Sequence, residues 1–237
     1  MALALQAGFL LHQYDYQDSS LILDVFTHVA GRVSVVAKGV KQQKSPYLGL
    51  LRPFVPINIS YFGTGSLKTL GNIEQGNAEF ILAGNNTYCG FYLNELIRYL
   101  IPSGEPYPDV FVNYLSCLQV LKTSHKVESA LRTFEIQLIQ SLGYGLNLEC
   151  DVITGKAIQA EENYRYMLEQ GATLDCAGAL KGTTLIAMHR QSYSEQSQLN
   201  QAKWLMRQVI DFHLQGKILH SRQLISKFKQ TSSCKIN

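Results

Sequence analysis

The sequence predicts an α+β chain of two domains, a five-stranded β-barrel followed by a mainly α-helical part. Two observations carry this. Apolar residues recur with a period of two through roughly the first 75 residues and at helical spacing beyond about residue 90. Glycine and proline also fall between the periodic segments, where turns and helix ends need them.

Leu3, Leu5, Phe9 and Leu11 alternate, which gives a first strand with one buried face. Ser20 to Thr27 is rich in strand formers, and Thr27-His28-Val29-Ala30-Gly31 makes a turn. Arg32 to Ala37, with Val33, Val35 and Val36, is a third strand, and the polar stretch Lys38 to Pro46 is a basic loop. Val55, Ile57, Ile59 and Tyr61 alternate as a fourth strand. Gly63-Thr64-Gly65-Ser66 is a hairpin turn, and Leu67 to Ile73 a fifth strand. Five short strands with one long basic loop suit a small closed barrel. The OB-fold is the five-stranded barrel that most often meets nucleic acid.

The period then changes. Leu93, Leu96, Ile97, Leu100 and Ile101 follow helical spacing, and Pro102 stops that helix. Val110, Phe111, Tyr114, Leu115, Leu118 and Leu121 form a second apolar stripe. Val127, Ala130, Leu131, Phe134, Leu138 and Leu142 form a third, with Gly143 as its C-terminal cap. Leu146 to Thr183 is irregular. A further helix is expected from Leu199 to Leu214, then a short one capped by Ser221. The expected domains are 1–80 and 81–237, divided near Ala78 to Asn86, with an irregular, zinc-less insert around 146–183.

With 46% hydrophobic and 16% charged residues, the 237-residue chain can bury a core and is no disordered polyelectrolyte. No apolar run approaches the ~18 residues of a membrane span. The apolar start, Met1 to Leu11, lacks a basic leader and reads as a strand, so a cytoplasmic location is expected. The five cysteines (Cys89, Cys117, Cys150, Cys176, Cys234) include no C-x-x-C pair, which fits thiols in a reducing compartment.

The net charge is only +3, but its distribution is uneven. Arg32, Lys38, Lys41, Lys44, Arg52 and Lys68 fall in a stretch without one acid. From Gln201 to the end there are seven basic residues and one acid, Asp211. Basic ends around an acidic middle point to a polyanion-binding surface. Lysines in the loop Lys38 to Lys44 suit phosphate neutralisation, and Tyr47, Phe54, Tyr61 and Phe62 are candidates for base stacking. The alternative is a solvated loop beside a barrel core. Gly63 to Lys68 lacks the spacing of a phosphate loop, and the six histidines form no metal-spaced pair. No catalytic set is legible, and no cofactor is implied.

The chain resembles the RecO family. The resemblance lies in Gly8-Phe9-Leu10-Leu11-His12, Asp18 to Thr27, Gly31 to Gly39, Leu51-Arg52-Pro53-Phe54-Val55-Pro56 and Gly63 to Leu70. It continues in Tyr92-Leu93-Asn94-Glu95-Leu96, Leu131-Arg132-Thr133-Phe134-Glu135, Leu142-Gly143-Tyr144-Gly145, Tyr164-Arg165-Tyr166 and Ser221-Arg222-Gln223-Leu224. It implies a non-enzymatic recombination mediator of the RecF pathway, acting in the cytoplasm at the nucleoid. Such a protein binds single- and double-stranded DNA and anneals complementary strands. With RecR as partner, it helps load RecA onto strands coated by the single-stranded-DNA-binding protein.

The resemblance also implies contact with that protein's acidic, phenylalanine-ending tail. The receptor expected for it is the stripe Leu131, Phe134 and Leu138, with Arg132 for the carboxylate and Lys122 and Lys126 for the acids. The rival role for Arg132 is pairing with Glu128 or Glu135. Two other classes of function are separable by experiment. An OB-fold RNA-binding protein would prefer folded RNA to single-stranded DNA in salt-dependent competition, and a nuclease would cleave in a metal-dependent assay.

Some family members carry a four-cysteine zinc site in the irregular segment. Here Asp151-Val152-Ile153 supplies no second cysteine after Cys150, and Cys176 stands alone. Packing of Leu146, Leu148, Tyr164, Tyr166 and Leu174 is expected to hold the segment instead. Elemental analysis after a chelator wash should find no stoichiometric zinc.

Overall fold

The structure, a computed structural model, describes residues 4–42, 45, 47, 49–76, 80–123 and 126–224. Packing divides the chain into two compact units: residues 1–123 with the segment from Leu219 onward, and residues 124–218. The expected division at 80/81 sorts the chain by secondary-structure type, whereas packing groups the first two helices with the barrel.

In the first unit, β1 (Gln6–Tyr16), β2 (Ser20–Thr27), β3 (Gly31–Ala37), β4 (Pro56–Phe62) and β5 (Leu67–Gln75) close a barrel in the order β1-β2-β3-β5-β4. All neighbouring pairs are antiparallel except β3 with β5, where Val35 lies opposite Lys68. The interior is filled by Leu10, Leu21, Leu23, Val25, Val33, Val35, Ile57, Ile59, Tyr61 and Ile73.

The first strand differs from its expected simple alternation. Phe9, Leu10 and Leu11 are all buried while Leu5 is exposed, because this strand is covered on both faces. Leu10 points into the barrel. Phe9 packs outside against Phe80, Phe111 and Tyr114, and Phe26 on β2 also meets Phe111 and Tyr114. This outer aromatic layer ties α2 (Pro108–Thr123) to the barrel, and α1 (Asn85–Leu100) joins it through Phe91, which packs on Phe54. Gly90 allows the close approach: a Cβ there would stand 2.6 Å from the Phe54 ring.

The buried Asn94 side chain donates to the Leu11 carbonyl at 3.3 Å and accepts from the Tyr114 hydroxyl at 2.7 Å, so the polar groups in this layer are paired. A further helical turn begins at His220. Its cap differs from the expected Ser221, for the Glu95 carboxylate on α1 accepts the His220 N–H (3.1 Å), the Ser221 N–H (2.9 Å) and the Ser221 hydroxyl.

The second unit contains α3 (Val127–Ser141), β6 (Asn163–Met167), β7 (Gly171–Leu174), β8 (Leu180–Lys181), α4 (Gly182–His189) and α5 (Gln196–Leu214). The sheet β7-β6-β8 and α4 lie in the stretch read as irregular. Leu148 and Tyr164 are buried there as expected, but Leu174 is exposed. Beside this packing, Asp151 ties the segment together. One carboxylate oxygen accepts the Ile153 N–H (2.9 Å), the Thr154 N–H (2.7 Å) and the Thr154 hydroxyl (3.0 Å). The other accepts the Leu174 N–H at 2.6 Å. A short carboxylate thus collects the donors of the turn and links it to β7.

These donors, led by the Leu174 N–H, hold the Asp151 carboxyl below the usual carboxylate range. A depressed folded pKa contributes stability that is complete above the unfolded value, near 4, and is lost as pH falls through the folded value. Below about pH 4 the thermal midpoint of the wild type should therefore fall more steeply than that of Asp151→Asn, as circular dichroism melts across that range would measure.

Candidate nucleic-acid interface

The connection between β3 and β4 carries most of the expected DNA-binding cations, and described residues near both of its ends are held by the barrel. Val40 and Leu51 are buried with the barrel core. Lys38 and Lys41 flank Val40; with Val40 turned inward, Lys38 is exposed and Lys41 half-buried. The Lys41 N–H donates to the Ser19 carbonyl and its ammonium meets the Asp15 carboxylate, which joins this turn to the β1–β2 turn. Lys68 lies on β5 beside β3 and donates to the Gly63 carbonyl at 3.1 Å in the β4–β5 hairpin. Arg52 is exposed, with its Nε donating to the Gly49 carbonyl at 2.9 Å. Lys44 lies outside the described residues. The barrel thus carries Lys38, Lys41, Arg52 and Lys68 on its connections and on β5, near bonded backbone carbonyls and one carboxylate.

Arg32 stands apart from this set. Its guanidinium donates to the buried Asp24 carboxylate at 3.2 Å and, through Nε, to the Ile101 carbonyl at 3.1 Å. Arg98 on α1 approaches the same Asp24 oxygen at 3.7 Å. Burial pushes the Asp24 carboxyl up, opposed by Arg32 and then Arg98. Gly31 is needed at this latch. Its φ is +65°, and a Cβ would lie 1.7 Å from the Glu105 carbonyl oxygen.

The aromatic expectations divide. Phe54 and Tyr61 are core residues; Phe54 packs on Phe91, and the Tyr61 hydroxyl accepts from Gln6 at 2.9 Å. Tyr47 is half-buried, leaving Phe62 as the exposed member of the four. Sequence reasoning missed Tyr14, His12, Arg98 and Tyr99. The Arg98 guanidinium lies 5.3 Å from the Tyr14 ring centre and 4.9 Å from that of Tyr99, while His12 stands edge-on to Tyr14. Tyr14 and His12 alternate on β1, but nothing in sequence spacing places Arg98 above them.

In the second unit, Arg132 is 6% exposed and pairs with Glu135 one turn along α3. The buried Tyr193 hydroxyl is raised to about 12 by burial, with Arg132 lowering and Glu135 raising it. Phe134 and Leu138 are fully buried, Leu131 is half-buried, and Lys126 is exposed. Lys122, in the first unit, is exposed. Among the described residues no helix is long and apolar enough to cross a membrane, and no group of three or more His, Cys, Asp or Glu side chains is placed to hold a metal ion.

A five-stranded barrel of OB type followed by a helical C-terminal region defines the class of protein. Residues 1–78 match the family model described as "Recombination protein O N terminal", and residues 82–223 that described as "Recombination protein O C terminal". Among similar proteins, the DNA repair protein RecO of Methylococcus capsulatus is 38% identical over 93% of this chain and 92% of its own length. That of Nitrosospira multiformis is 39% identical over 95% and 96% respectively, and that of Idiomarina loihiensis 37% over 95% and 99%. The chain belongs to the RecO family of DNA repair proteins.

Removing the Arg32 side chain leaves the buried Asp24 with Arg98 as its remaining cation among the described residues and opens the Ile101 contact. Arg32→Ala should cost on the order of 3 kcal/mol of stability, whereas Lys38→Ala should be close to neutral, as denaturant unfolding would measure.

Proposed function

We propose that the protein is a non-enzymatic mediator of homologous recombination, binding single- and double-stranded DNA and annealing complementary strands. In this reading it acts with RecR to help RecA load onto strands coated by the single-stranded-DNA-binding protein. The observation that carries the reading is membership of the RecO family over residues 1–78 and 82–223 together with a closed barrel bearing Lys38, Lys41, Arg52 and Lys68. Lys44 extends that set in sequence, and Arg32 contributes by holding the barrel scaffold. Lysines of this kind bind backbone phosphates without reading bases.

Annealing of complementary strands, each pre-coated with single-stranded-DNA-binding protein, tests the reading. The protein should accelerate duplex formation, and an unchanged rate would overturn the annealing role. Replacing Lys38, Lys41 and Lys44 together by alanine should slow annealing and flatten the log–log salt dependence of single-strand binding by about 2, from roughly 0.7 per phosphate contact.

The helical region is the proposed receptor for the acidic, phenylalanine-ending tail of the coating protein. On the second unit Leu131 is half-buried and Lys126 exposed, and Arg132, held by Glu135 beside the buried Phe134 and Leu138, is the cation a tail carboxylate would have to draw from that pair. Arg132→Ala alone would leave Glu135 buried without its partner, so the informative variant is Arg132→Gln with Glu135→Gln, which keeps a neutral pair. Titration of a labelled tail peptide should show at least tenfold weaker binding to the folded double variant. Equal affinities would place the pocket elsewhere.

A further inference from the structure

The outer side of α5 carries aromatic rings that packing leaves about half exposed. Trp204 is 49% exposed and Phe212 43%, while Leu205, Met206, Val209 and Ile210 form the buried side. Trp204, Gln208 and Phe212 follow i, i+4, i+8 spacing, so they form one ridge roughly 12 Å long. Next to Phe212 the ridge passes to a second element. The His213 ring stands 5.3 Å from Phe212, and Tyr144, just past the end of α3, lies on His213 at 4.4 Å with the planes 33° apart. Tyr144 is itself 53% exposed.

The composition between the rings identifies the occupant. A dry interface with a second helix needs a continuous apolar stripe. Here amide and basic side chains, Gln208, Arg207 and Lys203, separate and flank the rings, and Asp211 is engaged by Arg207 at 3.9 Å. Exposed π-faces set apart along one line, with cations and amides beside them, are the components of a platform for unpaired bases. We propose that the ridge from Trp204 through Phe212 to Tyr144 stacks nucleobases of a single strand. It is a second single-strand site, on the 124–218 unit and distinct from the barrel lysines. The proposal rests on the reading that this protein binds single-stranded DNA.

Trp204 is the sole tryptophan of the chain, so tryptophan emission of the full-length protein reports this ridge directly. Titration with end-labelled oligothymidylate, followed by anisotropy, should be matched by a fall in Trp204 emission that saturates at the same DNA concentration. Trp204→Ala and Phe212→Ala should each weaken binding by about tenfold, and Trp204→Phe should recover most of that loss. The salt dependence should stay as in the wild type, because rings displace no counterions. Saturated anisotropy with unchanged Trp204 emission overturns the ridge while leaving DNA binding intact. Emission that changes with protein concentration alone, without DNA, assigns the ridge to a second copy of the chain and also overturns it. No anisotropy change at all removes both the ridge and the DNA-binding reading on which it rests.

Discussion

The first unit depends on one buried carboxylate. Asp24 sits on the outer face of β2, where Arg32 from β3 and Arg98 from α1 converge on it. The pair is not a large net source of stability, since burial raises the carboxyl pKa against the pull of both guanidiniums. Its value is geometric. A carboxylate out of water tolerates few arrangements of its partners, so it fixes where α1 crosses the barrel. Arg32 then uses its remaining capacity on the segment after α1. Its Nε reaches the Ile101 carbonyl, and its own carbonyl accepts the Gly104 N–H at 2.8 Å and the Ser103 hydroxyl at 3.1 Å. Strand, helix and returning loop meet at one side chain.

This arrangement explains how a single basic stretch divides between structure and surface. Arg32 has a fork of donors and a buried acid one strand away, so it becomes scaffold. Lys38 and Lys41 flank a valine that enters the barrel, which keeps their stems outside. The second unit uses the same chemistry on a smaller scale. Asp151 gathers four donors around one carboxylate and ties its turn to Leu174 on β7. The Arg132–Glu135 pair beside Tyr193 is the buried counterpart on α3.

Much of the architecture was legible in the sequence. The change from a period of two to helical spacing located all five barrel strands and the helices α1, α2, α3 and α5. The elements that escaped were short: β6, β7, β8 and α4 span two to eight residues each, too few to show a period. Aromatic residues were the least legible. Phe54, Tyr61 and Phe62 look alike as stacking candidates, yet only Phe62 is substantially exposed: Tyr61 and Phe62 are successive residues of β4 and face opposite ways, and Phe54, before that strand, is covered by Phe91 of α1.

The sequence by itself determined the barrel-then-helix order, the acid-free run of cations and the family to which the chain belongs. Those follow from local period, composition and residue order. Tertiary structure alone decided which charges are spent internally. Asp24 and Arg98 are far apart along the chain, and only closure of the barrel under α1 brings them to 3.7 Å. It also decided that Trp204 faces water while Met206, two residues on, is buried, since both suit an apolar stripe and the neighbouring elements choose which side of α5 they cover.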